Sequence, residues 1–249
     1  MEQNKIPWID ESSIAKAHST LYHYTNFINL RSILESGGLF ASPYTDTNDR
    51  EEFVAAKSIL CPLIAERAKI HIRKQHPEFF AAVLKAGDNP DEIIEKDAAT
   101  FYDVGLRTNA FKPFLTCFSA HVEPHHKSNG LLSMWRSYCN ANNGIALGFD
   151  TNRVIKKTEA LIESKRFVAL YLDRASYGAS DSQLQQRLKD ADNLIDTYHR
   201  FVSAMINSKD PNLDAGALLK LLVLTTSVKH SDFSDEREIR MIVSDTNSH

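Results

Sequence analysis

Two short stretches, far apart in the chain, hold the residue types best suited to chemistry. The first, Tyr22-His23-Tyr24-Thr25, alternates an imidazole and a hydroxyl with two phenols. On a strand, successive side chains point to opposite faces, so His23 and Thr25 share one face while Tyr22 and Tyr24 share the other. The polar pair suits the hydroxyls of a bound sugar, because both groups donate and accept hydrogen bonds. The plainer reading is a scaffold strand with two buried tyrosines. The second stretch, Asp232-Phe-Ser-Asp-Glu-Arg-Glu238, gathers four carboxylates in front of an apolar run. Glu236 and Glu238 share a face if a strand begins early enough, and such a pair can move protons or stabilise a cation. Its plainer reading is a solvated acidic loop leading into an edge strand.

Metal sites are not expected. Cys117, His121, His125, His126 and Cys139 are of zinc-binding type, but Pro124 and Gly130 interrupt any helix that would align His121 with His125. No C-x-x-C pair anchors a tetrahedral site either. Asp46, Asn48, Asp49 and Glu52 lack the glycine and the twelve-residue rhythm of a calcium loop, and a turn followed by a capping box explains them. Neither a P-loop nor a G-x-G-x-x-G stretch occurs.

The first chemical stretch begins a strand at Leu21, and the pattern after it predicts a helix with Phe27, Leu30, Ile33 and Leu34 on one face, stopped by Gly37-Gly38. A strand over 39–42 and turns over 43–49 follow, and Asp49 with Glu52 caps a helix from Arg50. Helices then run to about Thr108, punctuated by Pro62, Pro77 and Asn89-Pro90. A strand over 114–119, a loop over 120–130, and a helix bearing Leu131, Met134, Trp135 and Tyr138 come next. Asn142-Asn143-Gly144 turns into a strand over 145–149. Further strands are expected over 167–172 and 238–243, with helices over 181–206 and 213–226.

At 249 residues, with 43% hydrophobic and 24% charged side chains, the chain suits one domain with its own core. Its segments are a strand-helix-strand unit over 20–49, a helical insertion over 50–110, central strands and a helix over 111–175, a helical segment over 176–230, and a closing strand with tail over 231–249. The formal net charge of −3 neither demands nor forbids a nucleic-acid partner. No run is apolar and long enough to cross a bilayer, so no membrane partner is expected. The first thirteen residues lack the basic start and apolar run of a secretory signal. Three cysteines without close spacing read as free thiols, which suits a reducing, cytoplasmic setting.

In order, Tyr22-His-Tyr-Thr25, the helix through Ile33-Leu34, Leu39-Phe-Ala-Ser42, Asn48-Asp49 with Glu52, Ser133-Met-Trp-Arg-Ser-Tyr138, Gly144-Ile-Ala-Leu-Gly-Phe149 and Phe233-Ser-Asp-Glu-Arg-Glu238 resemble the family called domain of unknown function 2971. More distantly, Tyr-His-x-Thr, a glycine-stopped helix and a strand resemble the opening of ADP-ribosyltransferase-like folds, including DNA-modifying toxins. That resemblance implies an α+β fold, an ADP-ribosyltransferase-like split mixed or antiparallel sheet with helical insertions. It implies NAD as substrate, transfer to a nucleic acid or protein, and a toxin or phage-defence role. His23, Tyr24, Thr25, Ser119, Trp135 and Tyr138 would contact the cofactor. Glu238 would be the catalytic acid, with Glu236 as the competing assignment. The strand Thr116-Cys117-Phe118-Ser119 departs from the superfamily's Ser-Thr-Ser and lacks a tyrosine. The resemblance also leaves open a catalytically inactive module that binds NAD or another nucleotide, or a protein-interaction module.

The chemistry of the transfer is coherent. Breaking the nicotinamide glycosidic bond builds positive charge on the ribose, and a fixed carboxylate stabilises that charge.

Overall fold

The computed structural model describes residues 11–44, 50–107, 112–139, 143–164, 167–207, 209 and 213–245. Asp46, Asn48, Asp49 and Asn142, on which the expected capping box and one turn depend, lie outside these residues. The elements are α1 (Glu11–Ala17), β1 (Thr20–Asn26), α2 (Phe27–Ser36), β2 (Ser42–Pro43), α3 (Arg50–Gln75), α4 (Pro77–Lys85), α5 (Pro90–Arg107), β3 (Pro113–Ala120), α6 (Pro124–Asn129) and α7 (Leu132–Tyr138). They continue with β4 (Gly144–Asp150), α8 (Thr151–Glu163), β5 (Phe167–Arg174), β6 (Ser176–Tyr177), α9 (Ser182–Lys189), α10 (Asp192–Ile206), α11 (Ala215–Ser227), β7 (Val228–Lys229), a 3-10 helix (Ser231–Glu236) and β8 (Glu238–Asp245). The architecture is α+β, and it divides into two compact units.

The first unit comprises Met1–Asn48, Phe111–Ala175 and Ser231–His249. Its six-stranded antiparallel sheet runs β4-β1-β3-β8-β5, with β2 also on β3. β3 carries a fork. One edge pairs with β8 along most of its length, while the other pairs with β1 only at Leu21–Ala120 and Tyr22–Ser119, then with β2 at Ser42–Leu115 and Pro43–Phe114.

Residues directly opposite one another in a ladder share a face, and the next residue along each strand takes the other. One face therefore carries Leu21, Phe118, Ala120, Leu172 and Ile239, and these pack with Ile14 of α1 and Ile155 of α8. The opposite face carries Tyr22 and Tyr24, which pack with Leu131, Met134 and Trp135 at α7. Alternating apolar residues on both faces are what allow helices to cover the sheet from each side.

Several local expectations change in this unit. Of the apolar residues expected to bury α2, Ile33 does so, whereas Phe27 and Leu34 are exposed. The strand expected over 39–42 shrinks to two residues, because β3 offers an edge only where β1 has left it. The loop expected over 120–130 contains α6, with Pro124 in its first turn where a missing N–H costs nothing. α8 was not anticipated. Asp150 caps it by accepting the Arg153 N–H at 2.9 Å.

The second unit comprises Asp49–Ala110 and Ser176–His230, so the two helical stretches of the sequence pack together. Ile64, Ile72, Phe101, Tyr198, Phe201 and Leu221 lie in its apolar core. Pro62 does not divide the first helix as expected. α3 runs through it, absorbing the loss of one N–H donor. The helix expected over 181–206 breaks between α9 and α10, and Asp181 caps α9 by accepting the Gln183 and Leu184 N–H groups. β6 and β7 pair in parallel. Among the described residues, no helix is long and apolar enough to cross a membrane.

Candidate functional site

Tyr22 of β1, Ser119 of β3 and Glu238 of β8 form one register row across three strands, so their side chains leave the same face. Arg240 follows on that face, its Nε donating to Glu238 Oε1 at 3.0 Å and its Nη2 to Oε2 at 3.3 Å. Glu238 and Arg240 are each only 2% exposed. Burial of such a pair is tolerable because each charge neutralises the other. Asp173 is the register partner of Arg240 on β5 and adds a second buried carboxylate to that face.

His23 takes the other face. Its neighbour Tyr22 belongs to the Ser119–Glu238 row, and its ring meets Phe118, on the α1 and α8 side, at 6.1 Å. Where β1 parts from β3, His23 Nδ1 lies 2.9 Å from the Cys117 carbonyl. Burial holds its pKa below the usual imidazole value, partly offset by that carbonyl. Thr25 shares its face and is buried. The expected meeting of His23 and Glu238 in one cleft therefore does not occur, because an odd number of residues separates the imidazole from the row that holds the acid.

The tyrosine face is the one with chemical possibilities. Tyr24 Oη accepts the Leu131 N–H at 2.7 Å and lies 2.7 Å from His121 Nε2. The Tyr22 ring stacks on His121 with centroids 3.7 Å apart and planes 8° apart. Trp135 meets the Tyr24 ring edge-on at 4.9 Å, and its Nε1 donates to the Asn129 carbonyl at 2.7 Å. Tyr138 joins the same aromatic cluster. Tyr24, Trp135 and Tyr138 thus lie together, and Ser119 and Glu238 lie in one row with Tyr22. Gly130, at φ 75°, closes the turn before α7, and a Cβ there would come within 2.5 Å of Trp135 Nε1 and 2.7 Å of Tyr24 Oη.

Glu236 ends the 3-10 helix and is buried. Between it and Glu238, Arg237 adopts φ 47°, a left-handed conformation that is uncommon for a residue with a side chain. Its carbonyl accepts the Ala120 N–H at 3.0 Å, which ties the head of β8 to the end of β3. The resulting kink turns Arg237 toward a cavity of about 350 Å³. His126, Ser133, Arg136, Asp235 and Arg237 line that cavity together with Leu131 and Leu132. With two guanidinium groups against one carboxylate, the lining favours an anion, and guanidinium matches phosphate geometry well.

Ser119 Oγ, His121 Nδ1 and His126 Nδ1 are buried without hydrogen-bond partners. In the buried residues Ser119 and His121 such a group costs on the order of 1–3 kcal/mol unless another polar atom or water satisfies it. Sequence reading missed Arg136 and Arg237, since arginines on a helix and in a charge run read as solvated. It weighed His121 and His126 only as zinc ligands. Among the described residues, no group of histidine, cysteine, aspartate and glutamate side chains is arranged to hold a metal ion. The three cysteines are free thiols.

The family described as Protein of unknown function (DUF2971) matches residues 134–241. The match runs from α7 into β8, so it takes in Arg136 and the 3-10 turn up to Arg237 and Glu238, and leaves β1 outside. No curated protein and no solved structure matches the chain.

Proposed function

We propose that this chain is a nucleotide-binding module of ADP-ribosyltransferase-like descent, holding NAD or a related phosphorylated nucleotide without turning it over. The observation that carries this reading is the pairing of Arg136 and Arg237 around one cavity, at the head of the strand that carries Glu238. A volume of about 350 Å³ lies at the lower end of the range for small-ligand sites, roughly 300–1,000 Å³. It suits a phosphate and its adjoining sugar better than a whole dinucleotide. The fork at β3 supports the split-sheet likeness. The three free thiols fit a reducing cytoplasmic setting.

Two features weigh against catalysis in this arrangement. His23 faces away from the acid, and Glu238 is already engaged with Arg240. A transferase needs its carboxylate aimed at the forming cation.

The second reading is an active ADP-ribosyltransferase acting on a nucleic acid or protein, of the toxin or phage-defence kind. It is favoured by Ser119 standing opposite Glu238, with a hydroxyl that lacks a partner. Calorimetric titration with NAD, combined with quantification of free nicotinamide, tests both. Saturable binding without nicotinamide release supports the module, and release that depends on Glu238 supports the enzyme.

A further inference from the structure

We infer that Asp235 is a specificity-determining acceptor in the arginine-lined cavity, where it takes hydrogen bonds from the hydroxyls of a sugar attached to the bound phosphate. This rests on the binding reading of that cavity and names the class of ligand it selects, a phosphorylated sugar over a bare anion.

The groups involved all line the cavity itself. Arg136 and Asp235 are exposed, and Ser133 and Arg237 are partly so, which leaves each of them within reach of a ligand. Ser133 and Arg136 stand three residues apart on α7 and so lie on one side of it. Asp235 sits inside a turn in which the Arg237 N–H donates to the Ser234 carbonyl at 3.2 Å. The left-handed Arg237 then accepts the Ala120 N–H on its own carbonyl. Backbone hydrogen bonds, not an ion pair, therefore hold the carboxylate and the guanidinium at the cavity.

Among the described residues, neither guanidinium is paired with Asp235 or with any other carboxylate, and the Asp235 carboxylate has no hydrogen-bond partner. Such a carboxylate works against a site for bare anions, because it repels them. It suits a ligand that also brings donors. A carboxylate only accepts, and a phosphate diester has no hydrogen to give, whereas a sugar hydroxyl has one. Two adjacent sugar hydroxyls can donate to the two carboxylate oxygens while the phosphate meets the guanidinium groups. A cationic donor is disfavoured, since two guanidinium groups outweigh one carboxylate. Desolvation holds the His126 pKa below its ordinary 6.5, so that ring adds no charge at pH 7.

The test measures ADP-ribose and inorganic pyrophosphate by calorimetry on the full chain, as wild type and as Asp235→Ala. Because Asp235 is exposed, its truncation leaves the fold standing. The two probes should respond in different directions. ADP-ribose should bind about fivefold or more weaker to the variant, because hydrogen bonds to a charged acceptor are lost. Pyrophosphate should bind as tightly as before or tighter, because a repelling charge is gone. Tighter or unchanged binding of ADP-ribose by the variant shows that Asp235 receives no hydroxyl, and overturns the inference with the anion-binding reading intact. Equal weakening of both probes overturns it too, since Asp235 would then act by holding Arg237 in place. If wild type binds neither probe, the binding reading fails and the inference falls with it.

Discussion

Ser119 of β3 and Glu238 of β8 stand directly opposite one another in an antiparallel ladder, and their side chains leave the face that also carries Tyr22 and His121. Glu238 is at the same time the partner of the buried Arg240. Replacing it therefore tests structure as well as function. Glu238→Ala should lower stability by roughly 3–5 kcal/mol, the cost of breaking a buried ion pair from one side. Urea denaturation reads this directly, and an unchanged midpoint would mean that Glu238 is not held as described.

Tyr24 joins the Leu131 N–H to His121 Nε2. Tyr24→Phe keeps the ring and removes the hydroxyl, leaving a buried donor and a buried acceptor unpaired. A loss of about 1–3 kcal/mol in chemical denaturation is expected. A variant as stable as wild type would show that water replaces the hydroxyl.

Gly130 has a positive φ and lies against Tyr24 Oη and Trp135 Nε1. Gly130→Ala should be destabilising and should blue-shift or broaden the fluorescence that Trp135 contributes, because α7 must move to admit a methyl group. Wild-type stability and an unchanged spectrum would contradict this.

Acid should weaken the second unit through His199. Its ring stacks on His76 at 3.9 Å, and burial followed by the charge of His76 holds its pKa down to about 4, from an ordinary 6.5. Above pH 6.5 both folded and unfolded chains carry a neutral His199, so its contribution is fully present. As pH falls from 6.5 toward 4, the unfolded chain takes up the proton first and stability drains away. His199→Phe should flatten the fall in thermal midpoint across that window. A slope equal to that of wild type would sink the assignment.

Strand identity was legible in the sequence where alternation was strong, as in Tyr22-His-Tyr-Thr25 and Gly144-Ile-Ala-Leu-Gly-Phe149, and the side of each tyrosine followed from period two alone. Register was not legible. Whether Tyr22 or His23 joins the Ser119–Glu238 row depends on pairings between segments about a hundred residues apart, and a shift of one residue exchanges the faces. α8 escaped notice because Val154 and Ile155 are the residues it packs into the core, set among polar neighbours. Arg136 and Arg237 were hidden for a different reason. A charged side chain reads as solvated until a fold shows that two of them share one concavity.

The account rests on that shared concavity, and equilibrium binding of ADP-ribose to wild type and to Arg136→Ala, with nicotinamide measured in a parallel incubation with NAD, tests it most directly. The prediction is saturable binding to wild type, at least about tenfold weaker in the variant because a charge-assisted contact is lost, with no nicotinamide released. Binding that is absent in wild type, or equally strong without Arg136, would contradict it.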